Sequence, residues 1–224
     1  PQPMLDTKII TSWNALMIDA LAYCGMTLGR VDYTEAATRA ASRLLSHHLD
    51  SSGALFHVSR EGPARLRADL DDHAHLAYAL LTLADATRDP RWRKQAESLV
   101  DQTLTTFGDG TASLFFAASD QPDLIVRQKV VQDSPLPSGN AVLVHALMRL
   151  GRTGEASAIL HDLSGSLARF AEAMSATLEA AVLAFGTEPV SVNASVALQV
   201  EGDGIVALSA HRVSKRRVDV TARI

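Results

Sequence analysis

The sequence predicts a mainly α fold: a partial (α/α)6 toroid of about three helical hairpins, followed by a short β-rich tail. Three observations predict it. A polar-headed apolar pattern, Asn/His-Ala-x-Leu/Met-x-x-Ala-Leu, occurs three times, anchored at Asn14, His73 and Asn140. Each copy is followed by a helix-period stretch with only one apolar face. The two kinds alternate at a spacing of about 60 residues, the mark of an array of inner and outer helices. Beyond residue 187 the apolar period changes from helical to two.

The elements follow in order. Segment 12–28 is apolar nearly all round (Ala15, Leu16, Met17, Ile18, Ala20, Leu21, Ala22) and is expected to be covered on most sides. Segment 33–49 sets Ala36, Ala37, Ala40, Ala41, Leu44 and Leu45 against Glu35, Arg39 and Arg43, an outer helix. His47 and His48 close it, where a charged imidazole favours the helix dipole. Residues 53–59 and 113–117 read as short and strand-like, and 124–133 as extended from its β-branched content. In an extended chain Arg127, Lys129 and Asp133 share one side and Val126 and Val130 the other. Segments 72–87 and 139–151 are the second and third inner helices. Segments 91–107 (Trp92, Ala96, Leu99, Val100, Leu104, Phe107) and 154–168 (Ala156, Ile159, Leu160, Leu163, Leu167) are outer ones. Strict alternation over 190–200, the turn Glu201-Gly-Asp-Gly204 and the run 205–210 predict a β-hairpin. Another alternation starts at Val218 and stops with the chain, as in a fragment. The domains expected are 1–187, helical, and 188–224, a β-rich tail that starts another module.

Composition narrows the function classes. The 224 residues are 47% hydrophobic and 21% charged, a globular balance, with a net charge of −4 that recruits neither nucleic acid nor acidic membrane. Lys215-Arg216-Arg217 is the one basic cluster and reads as a solvated turn or strand edge. No apolar run approaches the roughly 20 residues of a membrane span. With Cys24 as the single cysteine, the chain forms no internal disulfide and no Cys-x-x-Cys pair. The expected compartment is the cytoplasm. The chain opens at Pro1 without an initiator Met, so its natural N-terminus is expected to lie outside it.

Four motifs in fixed order carry a resemblance: Asp6-x-Lys8-Ile-Ile-Thr-Ser-Trp-Asn14-Ala-Leu-Met17, Leu70-Asp-Asp72, Arg127-x-Lys129-x-x-x-Asp133 and Pro137-Ser-Gly-Asn140. Together they resemble the thioredoxin-domain-containing family that includes the spermatogenesis-associated thioredoxin-like protein and YyaL-type bacterial proteins. That family is similar in its helical part to six-hairpin glycosidases and sugar epimerases. The resemblance covers about residues 3 to 192. It implies a thioredoxin-like domain upstream, as a partner of the helical region, and an (α/α)6 toroid. Thr7 and His73 depart from the acidic residue and the tyrosine usual there. Six hairpins need roughly 350 residues, and this chain has about three. A half-toroid leaves an apolar inner-helix edge open, which predicts self-association.

The candidate catalytic residues are Asp72, Asp71, Asp133 and His73, and the candidate substrate-binding residues are Trp13, Asn14, Arg127, Lys129, Ser138 and Asn140. Paired carboxylates supply general acid and base for glycosidic or epimerase chemistry, with Asp133 as the opposing group. An Asp heading a buried helix is also an N-cap, worth about 1 kcal/mol, and Asp72 fits that reading too. His73 titrates near neutrality and suits proton transfer. Trp13 stacks on a sugar face or staples the helix entry; Asn14 and Asn140 offer amides to hydroxyls or to the backbone. Ser138, without a Gly-x-Ser-x-Gly elbow, is a cap and substrate contact rather than a nucleophile. Arg127 and Lys129 hold a substrate anion or pair with the Asp residues. His73 and His75, two apart on a helix, are poorly spaced for metal, so no metal and no cofactor are expected. The sequence thus supports a carbohydrate-active domain, glycosidase-like or epimerase-like, with the sugar at the N-terminal mouth of the inner helices. The alternative is a non-catalytic scaffold or partner-binding domain attached to a thioredoxin-like module.

Overall fold

The computed structural model describes residues 3, 5–121 and 124–185, and the backbone of strands 196–201 and 204–210. It divides into two compact units. Pro1–Asp109 with Leu114–Lys129 form the first, and Gly110–Ser113 with Val130–Ile224 the second.

The first unit holds four helices of 18 residues and a small sheet. Strand β1 (Ile9–Ile10) runs straight into α1 (Thr11–Leu28), which turns back through Gly29 and Arg30 into α2 (Val31–His48). Gly29 takes the left-handed conformation (φ 65°) that closes α1, a position where a side chain carries strain. Close packing of this hairpin depends on Gly25. A Cβ there would lie 2.3 Å from Thr34 Oγ1 and 2.9 Å from Thr34 N. Strands β2 (Phe56–Ser59) and β3 (Arg65–Arg67) complete an antiparallel sheet of order β1-β2-β3. The second hairpin joins α3 (Leu70–Thr87) to α4 (Pro90–Phe107) through Arg88 and Asp89. Asp89 accepts from the Arg91 N–H as N-cap, and Pro90 takes the first helical position, where its missing N–H costs nothing.

Helix α3 packs against α1, α2 and α4, and twelve of its residues are buried. It is the covered inner helix that its apolar sequence calls for. Ile18, Leu55, Leu70, Leu76, Leu80, Leu83, Leu99 and Phe107 form the core. Each contributes about 1.5–3 kcal/mol by leaving water. The outer helices bury the faces expected of them, Ala37, Ala41 and Leu44 in α2 and Trp92, Ala96, Leu99, Val100 and Phe107 in α4.

Helix α1 is less covered than expected. Trp13, Met17, Tyr23, Met26 and Leu28 are exposed, Trp13 by 64%. The self-association expected from the sequence would run through these side chains. The expected result is sedimentation above the monomer mass, reduced by Met17→Lys; a stable monomer at tens of micromolar would remove it.

The second unit contains α5 (Gly139–Arg149), α6 (Thr153–Phe170), a single 3-10 turn at Ala171–Ala173 and α7 (Ser175–Phe185). Ala156, Ile159, Leu160, Leu163 and Leu167 form the buried face of α6, as the sequence predicts. Strands β4 (Val196–Glu201) and β5 (Gly204–Ala210) pair antiparallel, the expected hairpin. The run 190–195, the basic cluster 215–217 and the alternation from 218 lie outside the described residues.

Two expected strands do not form. Residues 113–117 and 124–133 join no ladder, although Phe116 N–H does donate to the Gln128 carbonyl at 2.8 Å. Side-chain anchoring replaces the ladder. Arg127 Nε donates to the Ala117 carbonyl at 3.0 Å and its Nη2 to the Phe107 carbonyl at 3.1 Å, where α4 ends.

Among the described residues no helix is long and apolar enough to cross a membrane.

Candidate active site at the paired helix N-termini

The N-termini of α1 and α3 meet in the first unit, and Asp72 joins them. Helix α3 begins at Leu70, two residues earlier than the sequence suggests, so its N-cap is Asp69 and not Asp72. Asp69 Oδ1 accepts the Asp72 N–H at 3.0 Å, and Asp72 Oδ2 accepts the Asp69 N–H at 3.2 Å, a reciprocal capping box. Asp72 is completely buried and its other oxygen accepts the Ser12 N–H of α1 at 2.8 Å. No side chain caps α1 at Ile10, so this carboxylate satisfies a donor that would otherwise be an orphan of the helix end.

A third donor completes Asp72. His57, on β2, places Nδ1 at 2.7 Å from Asp72 Oδ2. A carboxylate only accepts, so Nδ1 carries the proton and Nε2 is left as the basic nitrogen. The hydrogen bond to Asp72 raises the His57 pKa above its usual value, against the opposing effect of burial. The side chain keeps 31% of its surface exposed. Among the described residues nothing bonds to its Nε2. This is an oriented imidazole backed by a buried carboxylate, with a free basic nitrogen.

The scaffold behind it is a second, buried histidine. Thr11 Oγ donates to the Phe56 carbonyl at 2.6 Å and so accepts from His48 Nδ1 at 2.7 Å; His48 Nε2 then accepts from Ser59 Oγ at 2.8 Å. Burial lowers the His48 pKa, keeping the ring neutral. His48 thus fastens the start of α1 and the end of α2 to the strand that carries His57. Its expected role as a charged group at a helix end does not hold, because it faces the interior.

Asp69 lies 3.9 Å from His57 Nδ1. Burial, and then the Asp72 charge, raise its pKa from 3.8 to about 7. A raised carboxyl pKa means that the folded chain keeps a proton the unfolded chain releases. That contribution to stability is full below about pH 4 and is lost as pH rises through about 7. Asp69→Asn still caps the helix and cannot ionise. Its stability relative to wild type is expected to climb between pH 4 and 7 and to stay level outside that window. Parallel urea titrations at stepped pH check this, and a constant difference would refute it.

His57 Nδ1 and the Asp69 and Asp72 carboxylates are the one group among the described residues with metal-ligand spacing, their donor atoms lying within 4.8 Å of one another. The donors present suit a proton better than a cation. Nδ1 holds its proton towards Asp72, and both carboxylates sit at the positive end of α3.

The other sequence candidates fall as follows. His73 is buried within α3, its ring edge-to-face with Phe107 at 5.1 Å and its Nδ1 at 3.4 Å from Thr103 Oγ. Desolvation lowers its pKa to about 4, so it is a neutral core histidine at neutral pH. Asp71 lies in the first turn of α3, half-buried. Trp13 stands exposed at the start of α1, and Asn14 Nδ2 donates back to the Ile10 carbonyl at 2.8 Å. Arg127 is committed to backbone carbonyls and lies over Phe115 at 4.2 Å, and Lys129 approaches the same ring at 5.1 Å and Asp109 at 3.8 Å. Asp133, Ser138 and Asn140 assemble in the second unit. Ser138 caps α5, and Asn140 is fully buried. Asp133 Oδ1 accepts the Ser138 N–H at 3.0 Å, and Oδ2 accepts Ser175 Oγ at 3.0 Å and the Ala176 N–H at 2.9 Å. It ties α5 to α7 just as Asp72 ties α1 to α3.

Sequence reasoning missed His57 and Asp69. The Asp69-x-x-Asp72 spacing of a capping box was a usable signal for Asp69. Nothing in the spacing of His57 singles it out.

No family model matches the chain. Spermatogenesis-associated protein 20 of Homo sapiens and of Rattus norvegicus are each 32% identical over 166 residues, 69% of this chain and 21% of the relative. The chain therefore spans about a fifth of the length of these curated relatives. Among solved structures, cellobiose 2-epimerase of Spirochaeta thermophila aligns with a TM-score of 0.57 at 16% identity, covering 73% of this chain and 45% of that one. A GH76 α-mannanase of Bacteroides thetaiotaomicron aligns with a TM-score of 0.61 at 12% identity, covering 79% and 52%. At such identities the likeness establishes the fold: mainly helical, in the manner of (α/α)6 toroids. With the ordered motifs and these relatives together, the chain belongs to the spermatogenesis-associated protein 20 family, and its own fold is like that of six-hairpin glycosidase-like proteins.

Proposed function

We propose that this chain is part of a carbohydrate-active domain of the epimerase-like kind, with His57 as the group that moves protons on a sugar at the N-terminal mouth of α1 and α3. The observation that carries the reading is the His57–Asp72 contact at 2.7 Å. The buried carboxylate fixes the Nδ1–H tautomer and stabilises the imidazolium that forms when Nε2 takes a proton. The fold neighbours include a cellobiose 2-epimerase and a mannanase, which supports a sugar as the ligand.

The geometry favours proton abstraction over hydrolysis. A glycosidase sets two carboxyl groups about 5–9.5 Å apart across the scissile bond. Here Asp69 and Asp72 bond to each other's backbone in one capping box, and Asp72 has no exposed surface. In the open-chain form of a reducing sugar, His57 Nε2 removes the proton from the carbon next to the carbonyl. The C–H electron pair forms a C=C bond as the carbonyl π pair moves to oxygen, giving an enediolate. Rotation about the adjacent C–C bond presents its other face, and the imidazolium returns the proton to that carbon to give the epimer. The ring of Trp13 offers a stacking surface beside the start of α1, and Asp71 and Asn14 lie in the first turns of the same two helices.

Incubation of the full chain with cellobiose or D-mannose in heavy water, followed by NMR, tests this. Deuterium is expected at the carbon next to the carbonyl, with His57→Ala slowing its incorporation by about 100-fold or more. No incorporation by the folded chain, or an unchanged rate in His57→Ala, would sink the proposal.

A further inference from the structure

Leu66 has a backbone conformation that its surroundings do not explain. It is the middle residue of β3, with φ at 61°, a left-handed value that a leucine adopts only under strain. A bulge with an inserted residue would account for such a conformation, but the register is the same on both sides of it. Phe56 pairs with Arg67 and Val58 with Arg65, and the Ala68 N–H donates to the Leu55 carbonyl at 3.0 Å beyond. Nor does packing compensate, since Leu66 is 65% exposed. Glu61, with φ at 49°, differs because it lies in the turn between β2 and β3, where such values are ordinary. A glycine at position 66 would remove the strain, yet a large apolar side chain stands there.

The register gives this oddity a place. Between the Phe56–Arg67 and Val58–Arg65 pairs, the residue across from Leu66 is His57. The strained, exposed leucine is the direct cross-strand neighbour of the imidazole with the free basic nitrogen. Strain held without a packing return is a mark of ligand-contacting positions.

We propose that Leu66 is a specificity-determining residue: its side chain supports the apolar C–H face of the sugar ring while His57 reaches the reacting carbon. This rests on the reading of His57 given above. Arg65 and Arg67, both exposed, flank Leu66 on the strand across from Val58 and Phe56, and Arg67 pairs with Asp120 at 3.3 Å. The ligand class is therefore a pyranoside with one face free of axial hydroxyls, such as a β-1,4-linked glucose or mannose unit.

The test compares the full wild-type chain with Leu66→Gly, Leu66→Met and His57→Ala, reading thermal midpoint and the KM and kcat of deuterium incorporation into cellobiose. Leu66→Gly is expected to melt higher, because the strain is gone, while its KM rises by about tenfold or more with a smaller change in kcat. Leu66→Met keeps an apolar side chain and is expected to keep KM within a few-fold. A Leu66→Gly variant that melts higher with an unaltered KM would overturn the inference, as would one that melts lower. A Leu66→Met variant as impaired as Leu66→Gly would overturn it as well. Incorporation lost in His57→Ala but untouched in Leu66→Gly defeats this inference alone, whereas no incorporation by wild type defeats the function itself.

Discussion

Replacing Asp72 by alanine is expected to destabilise the first unit by about 3–5 kcal/mol, the largest effect of any single substitution at the site. The carboxylate holds the Ser12 N–H, the Asp69 N–H and His57 Nδ1 at once, and it has no exposed surface. Alanine leaves three donors without an acceptor, two of them at buried helix ends where water does not easily replace it. Loss of the cap alone would cost about 1 kcal/mol. The excess over that figure measures the tie between α1 and α3. Equilibrium urea unfolding decides the point, and a loss near 1 kcal/mol would reduce Asp72 to an ordinary capping residue. Asp72→Asn separates the two functions of the side chain. Its amide oxygen still accepts one donor, but the NH2 group opposes the others and the negative charge is gone. Where that variant folds, the His57 ring is expected to titrate at lower pH by NMR, and deuterium incorporation is expected to fall with it.

Asp133→Ala is expected to cost about 2–4 kcal/mol in the second unit, by the same physics at a more accessible position. Three donors converge on this carboxylate: the Ser138 N–H at the head of α5, and the Ser175 hydroxyl and Ala176 N–H at the head of α7. Each is a charge-assisted bond at a positive helix end, where an anion gains from both macrodipoles. Asp133 is half-buried, so water recovers part of the loss, which places the effect below that of Asp72. Amide hydrogen exchange checks it locally. The Ser138 and Ala176 amides are expected to lose protection ahead of the middle of α6. Uniform loss across the unit, or none, would contradict a tie at this corner.

Asp72 and Asp133 show one device used twice. Inner helices in an α/α array present several N–H donors at each N-terminus, buried against neighbours that have the same need. One loop or helix-head carboxylate answers two such ends. This sharing explains why one acidic residue serves each of these two corners, and why an acidic residue at such a place is not by itself a sign of catalysis. What distinguishes the Asp72 corner is His57. Only there does a titratable ring with a free nitrogen join the tie.

The helical architecture was legible in the sequence because it depends on local periodicity. Ala37, Ala41 and Leu44, or Ile159, Leu160 and Leu163, repeat at the spacing that puts them on one face, and that face needs burial whatever the partner is. The cap at Ser138 and the β4–β5 hairpin were readable for the same reason: each follows from residues within a few positions of one another. The functional corner was not readable. His57 reaches Asp72 across 15 positions and Ser12 reaches it across 60, separations at which the chain's own pattern carries no distance information. The fates of His73 and Arg127 were decided in the same way. Dense packing around α3 strips His73 of water and keeps it neutral, and the carbonyls at the end of α4, which have no partner within the helix, draw in the Arg127 guanidinium. By itself the sequence determined which residues must leave water, and thereby the helices. Which polar groups then meet in the space those helices enclose was decided by tertiary structure alone, because hydrogen bonds and desolvation act over a few ångströms between residues that the chain order keeps far apart.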